Sequence, residues 1–140
     1  GTGQADLARV QAAYAERRFE ATVLPYISDI RESYEQADLV VARAGASTVS
    51  EIAACGKASI LVPLPTSAHD HQRQNARKFA EAGAAILMEE PGLSGPALSQ
   101  AILSLRDDPA RVVAMERAAA SLARPDAAAR IADMVEELVA

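Results

Sequence analysis

Apolar residues along this chain gather in two kinds of pattern. Three clusters are short and continuous: Leu39-Val40-Val41, Ser59-Ile60-Leu61-Val62, and Ala84 to Met88. Runs of that length bounded by glycine, proline and polar residues read as strands covered on both faces, as in a parallel sheet. Thr22 to Tyr26 reads as a further short strand, which Pro25 brings to an end. The remaining apolar residues recur every three or four positions, the helical spacing. Leu7, Val10 and Tyr14 share a face of a helix from about Gln4 to Arg18, and Ser28 can cap a helix running to about Gln36. Ala76, Phe79 and Ala80 point inward from a helix that Gly83 closes, and Leu98, Ile102 and Leu105 from one started by Ser94 and Pro96. Asp108-Pro109 supplies an N-cap and a first-turn proline for a helix with Val112, Met115, Ala119 and Leu122 on one face. Arg124-Pro125 breaks the chain before a last helix carrying Ile131, Met134 and Leu138. Strands alternating with helices predict an α/β fold, a parallel sheet with helices on both faces, in one domain over residues 1–140. Gly1-Thr2-Gly3 opens without Met or a strand ahead of the first helix, as expected for a piece of a longer protein.

The junction from Ala37 to Gly56 organises the rest. Leu39 to Val41 runs into Gly45, which permits a sharp turn or a close approach of backbone to ligand. Ser47 or Thr48 can N-cap the helix that follows, and Thr48-x-x-Glu51 ahead of Ile52-Ala53-Ala54 fits a capping box. The free N–H groups and positive dipole end of such a helix make a seat for a phosphate. Gly56 ends the helix. The later stretch Pro63 to Ala68 is long for a tight connection and rich in turn residues, a pattern commoner where a ligand is bound.

Composition narrows the classes. Half of the 140 residues are hydrophobic but only 4% are aromatic, so the core is built from Ala, Val, Ile and Leu. A net charge of −5 with no long basic run argues against nucleic acid as a partner. No apolar stretch approaches the roughly 20 residues that span a bilayer, and no signal peptide opens the chain, so a cytoplasmic location is expected. Cys55 is the single cysteine and reads as a small packing residue. His69 and His71, two positions apart with no cysteine beside them, make a poor zinc site, and no metal or other cofactor is expected.

The R-x-G-A-x-T-x-S-E turn at Arg43 to Glu51, the D-H-Q-x-x-N-A helix start at Asp70 to Ala76, and the PYISDI segment at Pro25 to Ile30 occur in an order that resembles the MurG family. These are the bacterial UDP-N-acetylglucosamine transferases that convert lipid I to lipid II in peptidoglycan synthesis. The resemblance covers nearly the whole chain. It implies a Rossmann-like, partial C-terminal donor-binding domain of a B-type, metal-independent glycosyltransferase. By position it places Ile27 against uracil, Ala46, Ser47 and Thr48 at the diphosphate, Glu51 on the ribose hydroxyls, and His71, Gln72 and Asn75 at the sugar. Carboxylate oxygens, which only accept, suit ribose hydroxyls, and amides, which donate and accept, suit sugar hydroxyls. The family's glycine-rich G-G-S-x-G-A loop and its acceptor-binding N-terminal domain have no counterpart in the sequence, so no catalytic residue is expected within it. His71 stands where other members can carry Gln.

Two roles stay open at several positions. Glu51 serves either a capping box or ribose, and Arg43 either approaches the diphosphate or pairs with a carboxylate. Glu89-Glu90 and Asp107-Asp108 read as solvated loop and cap charges. The implied partners are UDP-GlcNAc and, through the missing domain, lipid I at the cytoplasmic face of the membrane. An open sheet edge, left by missing strands, would also allow a homodimer. The rival reading is a non-catalytic nucleotide-sugar-binding or assembly module that works with a partner chain.

Overall fold

Three strands and seven α-helices follow one another in the computed structural model, which describes residues 2–67 and 70–139. The chain divides into two compact units, Gly1–Glu35 and Gln36–Ala140.

The N-terminal unit holds α1 (Leu7–Glu16) and most of α2 (Ile30–Gln36). The rings of Tyr14 and Phe19 stack at 5.8 Å across the end of α1. Ser28 does not cap α2; Asp29 does, its Oδ1 accepting from the Glu32 N–H at 2.9 Å, because a carboxylate one residue closer to the first turn reaches the free donor. The strand expected at Thr22 to Tyr26 does not form. Among the described residues, its backbone is tied where the Thr2 and Gly3 N–H groups donate to the Leu24 and Pro25 carbonyls at 2.9 and 3.0 Å. A strand exists by virtue of a ladder, and among the described residues of this unit no other strand lies ready to supply one.

The larger unit is a parallel sheet of β1 (Val40–Ala42), β2 (Ser59–Leu61) and β3 (Ala85–Leu87), in the order β1-β2-β3. The register pairs Val41 with Ile60 and Ile60 with Ile86. α3 (Ala46–Cys55) connects β1 to β2, and α4 (His71–Glu81) connects β2 to β3. Crossovers between parallel strands are right-handed almost without exception, and two taken in the same direction put both helices on one face. α5 (Gly95–Arg106) and α6 (Pro109–Ser121) cover the other, where Ala58 and Ile60 pack with Leu105 and Met115. Helices on both faces explain why every residue of β2 is buried and why its sequence is a continuous run.

The punctuation works largely as expected. Ser94 Oγ accepts from the Ala97 N–H and Asp108 Oδ1 from the Arg111 N–H, each capping its helix. Gly56 closes α3 at φ 58°, ψ 47°, the left-handed conformation that favours glycine, and space is short there too: an added Cβ would lie 3.4 Å from Ala120 Cβ of α6. One expectation fails: Ile102 is exposed and not inward. α7 (Ala127–Val139) forms where the last helix is expected and buries none of its residues, leaving Ile131, Met134 and Leu138 open. Among the described residues no helix is long and apolar enough to cross a membrane.

Candidate functional site

Because the strands are parallel, their carboxyl ends share one edge of the sheet, the edge where ligands bind in open α/β folds. Three connections leave from it. The first turns at Ala44-Gly45 into α3. Gly45 is the N-cap in extended conformation, φ −62°, ψ 154°, and as a glycine it offers no side-chain cap. Ser47 and Thr48 therefore lie within the first turn and neither is the cap, so the Thr48-x-x-Glu51 box does not form at the helix start. The reason is that the helix begins two residues earlier than the hydroxyls suggest, with the Val49 N–H already donating to the Gly45 carbonyl. The outcome leaves the first N–H groups of α3 without a cap from the N-cap residue, beside the exposed Ala46 and Ser47 and the half-buried Thr48.

The second connection, from Val62 to Asp70, enters α4 at His71, which is exposed. Asp70 precedes the helix at φ 57°, a left-handed conformation uncommon outside glycine. Gln72 and Asn75 are half-buried and bind backbone: Gln72 Oε1 accepts from the Leu64 N–H at 3.0 Å, and Asn75 Nδ2 donates to the Ala44 carbonyl at 3.1 Å. Asn75 thus joins the start of α4 to the turn that starts α3. His69 lies outside the described residues; among those described, no group of three His, Cys, Asp or Glu could hold a metal.

The third connection follows β3 and carries Glu89 and Glu90. Both stay partly exposed, as expected of loop charges, but each is also paired with an arginine. Arg43 Nη1 lies 2.9 Å from Glu90 Oε2, and Arg73 Nε lies 2.9 Å from Glu89 Oε1. Arg43 therefore takes the second of its two roles, with a carboxylate. The Glu89 hydrogen bond, then the Asp70 charge, raise the pKa of the Arg73 guanidinium above its ordinary value. Sequence reasoning misses Arg73, although an arginine three residues after Asp70 on a helix start is a usual ion-pair spacing.

Glu51 is half-buried in α3 and lines a cleft of about 530 Å³ with Ser50, Ala54, Leu122, Arg124 and Pro125. Another cleft, of about 550 Å³, opens among Asp38, Leu39, Ile102, Val113 and Glu116 and holds none of the candidate residues. Ile27 is half-buried in the N-terminal unit, between exposed Tyr26 and Ser28.

Known proteins match this arrangement closely. A Geobacter sulfurreducens protein is 48% identical over 139 residues, covering 99% of this chain and 37% of its own length. A Myxococcus xanthus protein is 44% identical over 138 residues, 99% of this chain and 36% of its own. Both are named UDP-N-acetylglucosamine--N-acetylmuramyl-(pentapeptide) pyrophosphoryl-undecaprenol N-acetylglucosamine transferase. The chain thus spans little more than a third of these relatives. The crystal structure of Acinetobacter baumannii MurG superposes with a TM-score of 0.88 at 34% identity, over 96% of this chain and 39% of that one. Residues 1–131 match the family described as the glycosyltransferase family 28 C-terminal domain, and the chain belongs to that family.

Proposed function

We propose that this chain is the donor-binding part of a transferase that moves N-acetylglucosamine from UDP-GlcNAc to lipid I, giving lipid II for peptidoglycan. The observation that carries the reading is the glycine-capped start of α3 at the carboxyl edge of the sheet, in a chain 44% and 48% identical to two transferases of that name. A glycine-capped helix start with small residues suits a diphosphate, whose charge the dipole and N–H groups stabilise as UDP departs. In this reading Ala46, Ser47 and Thr48 hold the diphosphate, Glu51 the ribose and Ile27 the uracil. His71, Gln72 and Asn75 face the sugar; Gln72 and Asn75 also fix the backbone beside it. The base that activates the acceptor hydroxyl, and the acceptor itself, belong to a further domain working at the cytoplasmic face of the membrane.

Calorimetric titration of UDP and UDP-GlcNAc into the chain tests the reading. Saturable binding of both is expected. No saturation by either at about 1 mM, the range of a weak −4 kcal/mol interaction, would reject it.

Among the described residues β1 pairs only with β2, so the sheet ends in an edge of the kind that another strand can extend. A homodimer through that edge follows as a second reading for partners. Sedimentation of the chain across a concentration series should then show a monomer–dimer equilibrium; a single monomeric species at every concentration excludes the dimer.

A further inference from the structure

We propose that Arg43 is a positioning residue of the donor site, a strut that joins the carboxyl ends of all three strands and holds the Val62–Ser67 connection in its ligand-ready shape. The inference rests on the donor-binding reading above. Arg43 directly follows β1. Its Nη1 donates to the carbonyls of Val62 and Pro63, just past β2, at 3.3 Å each, and to Glu90 Oε2, just past β3, at 2.9 Å. One guanidinium therefore touches the exits of β2 and β3 from the exit of β1.

Arg73 repeats the device from α4. Its Nε and Nη2 meet the two oxygens of Glu89 at 2.9 and 3.1 Å, the parallel two-bond geometry that a guanidinium makes with a carboxylate. Adjacent glutamates are thus each held by an arginine from a different element. Between the two struts runs the connection whose Leu64 N–H is taken by Gln72. The same α4 ties down Ala44, the residue before the phosphate-binding turn, through Asn75. Half-exposed ion pairs such as Arg43–Glu90 add little to global stability. What they do supply is local order, and a loop ordered before the ligand arrives does not have to be ordered on binding.

The alternative, that Arg43 itself grips the diphosphate, predicts the opposite sign at Glu90. A carboxylate that competes with the ligand for the guanidinium weakens binding, so Glu90→Gln would leave UDP affinity unchanged or improve it. A strut anchored on Glu90 keeps only a neutral amide acceptor in the same variant, its ion pair gone, and affinity falls.

The test uses the 140-residue chain as wild type, Arg43→Met, Glu90→Gln and the double variant. UDP affinity is measured by calorimetry, and deuterium exchange of the 62–67 amides is followed without ligand. Each single change should weaken UDP binding about 3- to 10-fold and speed loop exchange, and the double variant should be no worse than the poorer single one, as for two residues acting as a unit. Melting temperature should stay close to wild type. Arg43→Lys, which keeps the charge but not the planar fork, should restore only part of the protection. UDP affinity unchanged or improved in Glu90→Gln overturns the proposal, as does unchanged loop exchange. If the wild type binds no UDP, the donor reading fails and loop exchange alone decides the strut. Should Arg43→Met fail to fold, Glu90→Gln, which keeps the side chain's shape, carries both measurements.

Discussion

Replacing Ile60 by alanine should destabilise the larger unit by about 2–5 kcal/mol, the range for deleting a large aliphatic side chain from a core. Ile60 is central in every direction. It sits in the middle of the middle strand with 0% exposure, paired in register with Val41 and Ile86. Its side chain joins the cluster with Ala58, Leu105 and Met115. The core around it is rich in alanine, including Ala44, Ala53, Ala58, Ala76 and Ala84. Ile52, Ile60, Leu61 and Leu105 are large apolar side chains that are fully buried. Backbone-close alanine packing leaves little freedom to collapse into the vacated volume, which puts the expected loss toward the upper part of the range. Against a total of about 5–15 kcal/mol, such a loss threatens folding at physiological temperature. Val41→Ala is the control: Val41 lies on the edge strand at 44% exposure, and its change should cost under about 1 kcal/mol. Urea unfolding of both variants checks this, with the midpoint moving and the slope holding. Equal losses at positions 41 and 60 would mean that β1 is covered as fully as β2.

The parts of this architecture that local sequence encodes are legible, and the parts that depend on distant partners are not. β1, β2 and β3 are each readable from a continuous apolar run, although only β2 is buried on both faces throughout; β1, on the edge of the sheet, leaves Val41 exposed where the run predicts cover. Thr22 to Tyr26 carries a similar local signal and fails as a strand because pairing is a property of two segments, not one. Ser94 and Asp108 announce their helices because a cap bond spans only three residues. The start of α3 is ambiguous for a related reason. Two hydroxyls and a glycine compete there within four positions, and the backbone settles on Gly45, leaving Ser47 and Thr48 inside the helix. At the carboxyl edge of the sheet, Asn75 of α4 reaches the Ala44 carbonyl in the turn that leads into α3. The ion pairs beside them leave no local trace. Arg43 and Glu90 are 47 positions apart, and Arg73 and Glu89 are 16 apart, so each glutamate reads as a surface charge until the fold brings its arginine to it.

Glu51→Gln should weaken UDP binding by about 1–3 kcal/mol while leaving the melting temperature unchanged. The first half of that expectation is the range for hydrogen bonds to a charged group. The second half follows from the placement of Glu51. α3 begins at Ala46 with Gly45 as its cap, so Glu51 lies beyond the first turn and is not the third residue that a capping box requires. Glutamate and glutamine also have nearly the same helix propensity, so the exchange costs the helix little. What changes is chemistry: a carboxylate offers acceptors on both oxygens, whereas an amide turns one of them into a donor. Adjacent ribose hydroxyls that donate one to each carboxylate oxygen cannot keep that pattern with an amide, whose nitrogen only donates. Half-buried along a cleft, Glu51 stands where a ligand can reach it. The decisive comparison adds 2′-deoxy-UDP. If Glu51 accepts from the ribose, removing the 2′-hydroxyl weakens wild-type binding, and the penalty shrinks in Glu51→Gln because the shared interaction is already lost. Equal penalties for the missing hydroxyl in both proteins, or an unchanged UDP affinity in the variant, would take Glu51 out of the ribose site and leave it a residue of the helix surface.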